Sequence, residues 1–319
     1  MRMRSVVRLV PVGLLPMMLI SACSGGDDDS SPTPDPSGDP TAAPGTEVGA
    51  TLRDCTVTTY ISQSDYAFTT DASYRYLEGN GIPDHAVGAF PNSGNPNTIS
   101  AQALSFRMPL KPSGAGVDFI QRVGISVNGI LFEPSAGEFY NDDPSSGWQY
   151  EALSGALDLG VDCNHAHVQP TGSYHFHGMP EKLIEALGGD GEMLLVGYAA
   201  DGYPMYARYG YSDPDDASSA VRKMISSYKL KEGTRPSGPG GEYDGSFTAD
   251  YEYVEGLGDL DECNGRTGVT PDFGTTYHYF LTDNYPWISR CTKAEPDDTF
   301  GGDMPPPPPG KELTVGAAR

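Results

Sequence analysis

A cluster of histidines is the feature of this sequence best suited to chemistry. Four of the six histidines lie between positions 165 and 177, namely His165, His167, His175 and His177. Pro170 and Gly172 between them predict a turn that joins two antiparallel strands. Because side chains alternate along a strand, this register pairs His167 with His175 and His165 with His177, and it places all four imidazoles on one face. The opposite face then carries only apolar side chains, namely Ala166, Val168, Tyr174 and Phe176.

This arrangement predicts a metal site. Residues that face each other across two strands bring their Cβ atoms to about 5 Å, from which imidazole nitrogens can converge on one ion at about 2 Å. Neutral imidazole is a ligand for zinc, copper, nickel and iron, and we expect copper or zinc here. The alternatives are four independent histidines or a pH sensor. Three protein ligands would leave a coordination position open and four would close it, and both arrangements fit the sequence.

A fifth histidine stands in a related motif. Tyr277-His278-Tyr279 repeats the Tyr-His-aromatic pattern of residues 174–176, and each copy follows an Asx-Gly hairpin, at Asn128 and at Asp201. We infer an internal duplication whose two halves bring their histidine strands to a shared site, with His278 as a further ligand. The sixth histidine, His85, stands in a turn-like stretch and is expected on the surface or in a capping role.

Three carboxylates are candidates to orient the imidazoles by hydrogen bonding, namely Asp201, Asp261 and Glu262. The alternatives are a turn role for Asp201 and a structural role beside a disulfide for the other two. The sequence contains no glycine-rich phosphate loop, no His-Glu-x-x-His motif and no Gly-x-Ser-x-Gly motif. No catalytic residue is therefore predicted, and enzymatic activity stays an open question.

These motifs resemble those of the YHYH-domain family of secreted proteins. The resemblance rests on Ala-His-Val-Gln-Pro at 166–170 with Tyr-His-Phe-His-Gly at 174–178, Asp-Gly-Tyr-Pro at 201–204, Leu-Asp-Glu-Cys-Asn-Gly at 260–265 and Tyr-His-Tyr at 277–279. It covers most of residues 116–291. Phe176 stands where the family has its second Tyr, and Phe280 stands where many relatives have a second histidine, which removes a possible ligand. The resemblance implies a shared fold and a shared histidine site rather than a particular reaction.

The elements that must position these residues are mostly short strands. Strands are predicted at residues 56–62 and 100–108, and hairpins at 124–132 and 197–206, where Asn-Gly and Asp-Gly supply the turns. Pro204 would confine its strand to a sheet edge or a bulge. Helices are predicted at 180–187 and at 217–230, the second with an apolar stripe. With 40 Gly and 28 Pro, the composition favours a mainly β (β-rich α+β) fold of antiparallel strands and hairpins with a few short helices.

The cysteines divide into two groups. Cys55, Cys163, Cys263 and Cys291 fall in the predicted folded region and, in an extracytoplasmic protein, predict two disulfides with three possible pairings. Cys23 stands apart, near the N-terminus.

The N-terminal segment resembles the signal peptide of a bacterial lipoprotein. Three arginines precede an apolar run at 9–20 that is too short to span a bilayer, and Cys23 ends a lipobox-like sequence. We expect a signal peptide at 1–22, lipidation of Cys23, and a location in the bacterial cell envelope, at the outer membrane or facing the periplasm. Residues 23–47 are predicted to be a disordered tether, 48–295 a single folded domain and 296–319 a Pro-rich tail.

The net charge of −23 argues against nucleic acid as a partner, because nucleic-acid binders need a surplus of Lys and Arg. The expected partners are a membrane, through the lipid anchor, and a metal ion. We predict a cell-envelope lipoprotein that handles a metal or uses it in a reaction. The alternative is a metal-free surface module whose histidines and tyrosines contact a glycan or another protein.

Overall fold

The computed structural model describes residues 48–189 and 191–301, which form fifteen strands, one α-helix and five short 3-10 turns. The strands are β1 (Tyr66–Thr70), β2 (Tyr74–Gly79), β3 (Leu104–Pro109), β4 (Gly124–Ser126), β5 (Leu131–Phe132), β6 (Ala166–Val168), β7 (Tyr174–Phe176), β8 (Leu194–Ala199), β9 (Pro204–Ala207), β10 (Tyr209–Tyr211), β11 (Val221–Lys223), β12 (Tyr228–Leu230), β13 (Tyr251–Tyr253), β14 (Gly265–Thr270) and β15 (Gly274–Leu281). The helix α1 spans Glu181–Leu187, and the 3-10 turns lie at Ile61–Gln63, Tyr140–Asp142, Pro144–Ser146, Thr248–Asp250 and Asp298–Phe300. The predicted mainly β fold is confirmed.

Eight of these strands form the main sheet, in the order β14-β15-β9-β8-β4-β5-β7-β6. Neighbours are antiparallel except β5 with β7 and β9 with β15, which are parallel. Both predicted Asx-Gly hairpins are present, as β4–β5 and β8–β9. Their turns require a positive φ at Gly129 and at Gly202, which glycine adopts without strain, and this is why Asx-Gly in the sequence predicted both hairpins correctly.

The main sheet is built from two halves with the same strand plan. The first half is β4-β5-β7-β6 and the second half is β8-β9-β15-β14. Each half begins with a hairpin, β4–β5 or β8–β9. The second strand of the hairpin lies parallel to β7 or β15, which in turn is antiparallel to the outer strand, β6 or β14. The halves meet at β4 and β8, where Ile125 faces Tyr198. On either side of this pair Gly124 faces Ala199 and Ser126 faces Gly197. An approximate two-fold axis therefore passes through the centre of the sheet, which fits the inferred internal duplication.

Some of the other strands cover parts of this sheet. β1, β2 and β3 form a three-stranded sheet whose Leu77, Phe106 and Met108 share a core cluster with Ile125 and Leu131 of the first half. β10 with β11 and β12 with β13 form two-stranded pairs within the long connection from β9 to β14. Tyr211 of β10 packs on a cluster with Tyr206 and Phe280 of the second half, whereas β12 and β13 belong to a separate core cluster.

The apolar face of the predicted histidine hairpin lies in the largest core cluster. Its four side chains are each exposed by 1% or less: Ala166, Val168, Tyr174 and Phe176. Burial of these residues fixes the register of the hairpin, because a slip by one residue would exchange them with histidines.

Both predicted disulfides are confirmed, and the structure decides their pairing. Cys55 is bonded to Cys163, and Cys263 is bonded to Cys291. The first bond joins an N-terminal segment to the loop before β6, and the second joins the loop before β14 to the segment after β15. Each half of the main sheet is therefore tied to one end of the described chain.

Three sequence predictions of secondary structure require correction. Residues 217–230 contain β11 and β12 rather than a helix, because these strands pair with β10 and with the distant β13. Residues 56–62 contain one isolated bridge, from Val57 to Val87, and the start of a 3-10 turn. Pro204 begins an interior strand rather than an edge strand, since the first strand residue tolerates proline, although the β8–β9 pairing does contain a bulge between Leu195 and Gly197. The helix expected at 180–187 is confirmed as α1.

The packed region extends beyond the predicted boundary at residue 295. Phe300 is 1% exposed and lies 4.6 Å from the Phe106 ring, centroid to centroid, and Asp297 pairs with Arg107 at 2.7 Å. These contacts hold the chain in place through Gly301. The predicted signal peptide, the lipidation site Cys23, the tether and residues 302–319 of the tail lie outside the described residues. Within the described ranges, no helix is long and apolar enough to cross a membrane.

Candidate metal centre

The predicted histidine hairpin brings three imidazoles together. β6 and β7 pair with His167 opposite His175, and His177 extends the ladder by donating its backbone N–H to the His165 carbonyl at 2.8 Å. His175 and His177 alternate with Phe176, so their rings lie on the face opposite the core aromatic. We call His167, His175 and His177 the triad.

The triad rings form a nearly regular triangle. Each pair of ring centroids is 4.7 Å apart, with angles of 70°, 79° and 69° between the ring planes. One nitrogen from each ring lies within 4.8 Å of the other two. The Nε2 atoms of His175 and His177 are 3.0 Å apart, close to the roughly 3.3 Å expected between two nitrogens bound tetrahedrally to one zinc ion. The triad could therefore hold a metal ion.

Backbone carbonyls set the tautomers of two triad rings. The Nδ1 atom of His167 lies 2.9 Å from the Leu159 carbonyl oxygen, and that of His175 lies 3.3 Å from the Ser173 carbonyl oxygen. A carbonyl oxygen only accepts, so each Nδ1 carries the proton and donates it. Each Nε2 is then left with a lone pair for a metal, which is how metal-ligating histidines are usually held.

Burial keeps the triad uncharged at neutral pH. Burial and the neighbouring His175 lower the pKa of His167 to about 4, and burial lowers the pKa of His175 to about 4 as well. For His177, burial and the two other imidazoles lower the pKa well below the ordinary value of 6.5. The site thus holds three neutral imidazoles instead of imidazolium ions, which is the charge state that binds a transition metal.

His165 lies beside the triad but is not part of it. Its backbone adopts a left-handed conformation with φ of 52°, and its Nδ1–H donates to the Met179 carbonyl at 2.8 Å. The left-handed residue ends the regular alternation of side chains on which the expected fourth ligand depended. The structure therefore reduces the predicted set on this hairpin from four histidines to three.

His278 lies at the other end of the main sheet. It belongs to β15, which is separated from β7 by β9, β8, β4 and β5. At about 4.8 Å between neighbouring strands, the two histidine strands are roughly 24 Å apart. The expected shared site is therefore wrong, because the two-fold axis runs through the centre of the sheet and sends equivalent strands to opposite ends.

His85 is buried, contrary to the expected surface or capping position. It is 3% exposed, its ring stacks on Phe176 at 5.8 Å between centroids, and its Nδ1–H donates to the Ala86 carbonyl at 3.1 Å. His85 packs on the apolar face of the hairpin, opposite the face that carries the triad, and therefore does not contribute a ligand.

Asp201 is fully buried and serves the turn of the β8–β9 hairpin. Its carboxylate accepts hydrogen bonds from the Tyr279 hydroxyl at 2.5 Å and from the backbone N–H groups of Lys293 and Ala294 at 3.2 and 3.1 Å. The residue therefore ties the second half to the C-terminal segment, and the structure does not bring it to the triad.

Asp261 and Glu262 also belong to the second half. Asp261 accepts a hydrogen bond from the Tyr277 hydroxyl at 3.0 Å, and both carboxylates pair with Lys293, at 3.1 and 3.5 Å. The structural role beside the Cys263–Cys291 disulfide is thus the alternative that the contacts support.

One carboxylate near the triad was missed by sequence reasoning. Glu133 follows β5 directly and is 1% exposed; it accepts hydrogen bonds from the Gln169 amide at 2.5 Å and the Arg122 guanidinium at 3.3 Å. Burial raises the pKa of Glu133, while Arg122 and His167 oppose that rise. The available signal was a glutamate directly after a buried strand, but only the parallel pairing of β5 with β7 places it beside the histidines.

Comparison with known proteins agrees with the motifs. A family model described as "YHYH protein" matches residues 105–294, which is more than half of the chain and includes both halves of the main sheet. A comparison with curated proteins found no significant match, and neither did a comparison with solved structures. The match spans the triad, the second Tyr-His motif and three of the four disulfide cysteines, and the chain accordingly belongs to the YHYH protein family.

Proposed function

We propose that this protein binds copper or zinc through the triad of His167, His175 and His177. The observation that carries the proposal is the convergence of three uncharged imidazoles, with 4.7 Å between each pair of ring centroids. Neutral nitrogen ligands favour the later first-row metals, and copper stands highest in that order.

The number of ligands bears on what the bound metal does. Three protein ligands leave a fourth position for water, a substrate or a transfer partner, as in catalytic zinc sites. The buried Glu133 carboxylate close to His167 adds a group that could orient water at that position. Metal handling and metal-dependent chemistry both fit this arrangement.

A metal-free module that uses these histidines for surface contact is less well supported. His175 and His177 are 2% and 1% exposed, so a glycan or protein partner cannot reach most of their ring atoms without a change of structure. Burial of uncharged imidazoles costs less once a metal occupies their lone pairs.

Metal content tests the proposal. Protein purified from the cell envelope should contain about one copper or zinc ion per chain, and His175→Ala and His177→Ala should each weaken binding by more than about 100-fold. His165→Asn is the matched control, since it also removes a histidine while asparagine tolerates the left-handed backbone. Elemental analysis that finds no metal in the wild type, or equal metal in all three variants, would contradict the proposal.

We further propose that the protein is a lipoprotein of the bacterial cell envelope, anchored through Cys23 after removal of residues 1–22. The support is the order of a basic start, an apolar run and a lipobox-like sequence. Labelling of growing cells with palmitate should mark the wild type and leave Cys23→Ala unmarked. Equal labelling of both would exclude the anchor.

A further inference from the structure

A cleft between the three-stranded sheet and the second half of the main sheet lies apart from the triad. It has a volume of about 350 Å³, at the small end of the range for ligand sites. The side chains that matter come from three parts of the fold that meet there, namely Arg75, Tyr198, Tyr203, Phe273, Thr275 and Thr276. Aromatic faces, hydroxyl groups and one guanidinium thus line a single concave surface.

The guanidinium of Arg75 is held in place by rings and not by a carboxylate. Its central carbon lies 3.6 Å from the centroid of the Tyr198 ring and 6.0 Å from that of Phe273. Stacking on Tyr198 fixes the plane of the group and leaves its edge, which carries the N–H donors, available.

Arg75 differs in this respect from most cations of the described chain. Eleven other Lys and Arg side chains pair with carboxylates: Arg53, Arg107, Arg122, Lys182, Arg208, Arg222, Lys223, Lys229, Arg235, Arg290 and Lys293. Within the described residues the side chain of Arg75 makes neither an ion pair nor a hydrogen bond, although the chain carries a net charge of −23. The nearby Asp272 is engaged by the Tyr206 hydroxyl at 3.0 Å.

The chemistry of the cleft defines a ligand. An unpaired, oriented guanidinium fits a carboxylate through two parallel hydrogen bonds. Phe273 is 41% exposed beside Tyr198, and such faces pack against the C–H face of a sugar ring. At the rim the Thr276 hydroxyl donates to the Tyr277 carbonyl at 3.2 Å and keeps lone pairs that can accept from ring hydroxyls.

We propose that this cleft binds an acidic sugar, with the carboxylate of a uronic acid residue on Arg75 and its ring against Tyr198 and Phe273. The site is separate from the triad, so the protein combines a metal centre in the first half with a glycan contact beside the second. A net negative protein would otherwise repel such a ligand, and one unpaired cation provides the local attraction.

Calorimetric titration tests this assignment, with trigalacturonate as the probe and its methyl ester as the uncharged counterpart. The wild type should bind trigalacturonate and discriminate against the ester. Arg75→Gln should weaken binding roughly ten- to hundredfold, and Phe273→Ala several-fold. All variants should keep their metal content, which separates a failure here from a failure of the metal proposal.

Lys229→Gln is the matched control, because it removes the same charge on β12, a strand that does not line the cleft. Its affinity for trigalacturonate should equal that of the wild type. Equal binding of the acid and the ester, no binding of either, or equal losses in Lys229→Gln and Arg75→Gln would overturn the proposal. Should Arg75→Gln fail to fold, the exposed position of Phe273 still allows the ring contact to be tested.

Discussion

The two halves of the main sheet share one backbone frame and carry different chemistry. In each half a tyrosine hydroxyl donates to a carboxylate in the loop before the outer strand, from Tyr174 to Asp162 at 2.8 Å and from Tyr277 to Asp261 at 3.0 Å. The backbone N–H of each of these aspartates donates to the carbonyl of the residue four positions later, at 2.9 and 2.8 Å. The frame therefore repeats down to individual hydrogen bonds.

The correspondence extends to an unusual backbone conformation. His165 and Asn264 occupy equivalent positions and have positive φ angles of 52° and 56°. Their carbonyls accept the N–H groups of His177 and Phe280, at 2.8 and 2.9 Å. A left-handed residue other than glycine is uncommon, so its presence in both halves supports a common origin.

The side chains on this frame differ at two of three places. Positions 167, 175 and 177 of the first half correspond to 266, 278 and 280 of the second, which hold Arg, His and Phe. The central carbon of Arg266 lies 5.5 Å from the centroid of the Phe280 ring, and the buried Nε2 of His278 has no hydrogen-bond partner within the described part of the chain. Guanidinium offers donors only, so the second half cannot collect three ligands.

The comparison indicates that the frame does not depend on a metal. Disulfides, tyrosine–carboxylate bonds and core aromatics hold both halves, and the triad is completed by two histidines that only the first half has, His167 and His177. Each prediction below tests that separation of frame from site.

The largest effect is expected from moving the site. Arg266→His with Phe280→His should give the second half its own triad with His278 and raise the metal content from about one ion per chain to about two. Elemental analysis and calorimetric titration measure the change, and Arg266→Gln with Phe280→Leu is the control for altered packing. A folded histidine variant that still binds one ion would show that the frame alone does not make a site.

Removal of the disulfides should cost unequal amounts of stability. Because the free energy grows with the loop that each bond closes, loss of Cys55–Cys163 (separation 108) should lower the free energy of unfolding by about 5 kcal/mol. Loss of Cys263–Cys291 (separation 28) should lower it by about 3–4 kcal/mol. Paired Cys→Ser variants compared by urea unfolding of the metal-free protein give both values, and the reverse order would contradict the loop argument.

The equivalent histidines of the two halves, His175 and His278, should titrate alike without metal and differently with it. Burial lowers the pKa of both His175 and His278 to about 4, below the 6.5 of an unfolded chain. Unfolding then takes up protons between those values, so the contribution of each neutral imidazole to stability is complete above pH 6.5 and is lost as the pH falls towards 4.

Imidazole NMR resonances measure this directly. Both residues should titrate near pH 4 in the metal-free protein, whereas metal should shift the titration of His175 further down and leave that of His278 unchanged. A metal-induced change at His278 would contradict the separation of the halves.

The smallest effect is expected from the hairpin turns, which the halves also share. Gly129→Ala should cost about 1–2 kcal/mol for its positive φ, since the added Cβ would meet only side chains, the nearest at 3.1 Å. Gly202→Ala should cost more, because its Cβ would lie 1.9 Å from the Pro109 carbonyl oxygen. Thermal unfolding of the two variants compares them, and equal losses would mean that the backbone near Pro109 can move freely.

The sequence allowed much of the first half to be predicted, because its signals are local. Alternation of side chains and the turn at 170–172 indicated that His167 faces His175, and Asx-Gly indicated both hairpins. The four cysteines of the folded region likewise predicted two disulfides, but the sequence left three possible pairings open.

What could not be predicted depends on contacts between distant segments. The apolar residues at 217–230 that suggested a helix belong to two strands, β11 and β12. The partner of β12 is β13, which lies more than twenty residues further along the chain, so no local pattern could reveal the pairing. The left-handed conformation of His165 depends on its place at the end of the β6–β7 pairing, where its carbonyl accepts the His177 N–H. Glu133 lies beside the triad only because β5, the strand that it follows, pairs in parallel with β7. The position of His278 follows from the symmetry of the sheet, which no local pattern expresses.

The lengths of the two connections also bear on the order of folding. Residues 133–165 link the hairpin of the first half to its histidine strands, whereas the equivalent link in the second half spans 208–264. Loop closure is slower and costs more entropy for the longer link, and the first half, being nearer the N-terminus, would cross the membrane first during the proposed export. We therefore expect the stretch 124–177 to assemble first, so that a metal ion can bind before the second half of the chain has acquired its structure.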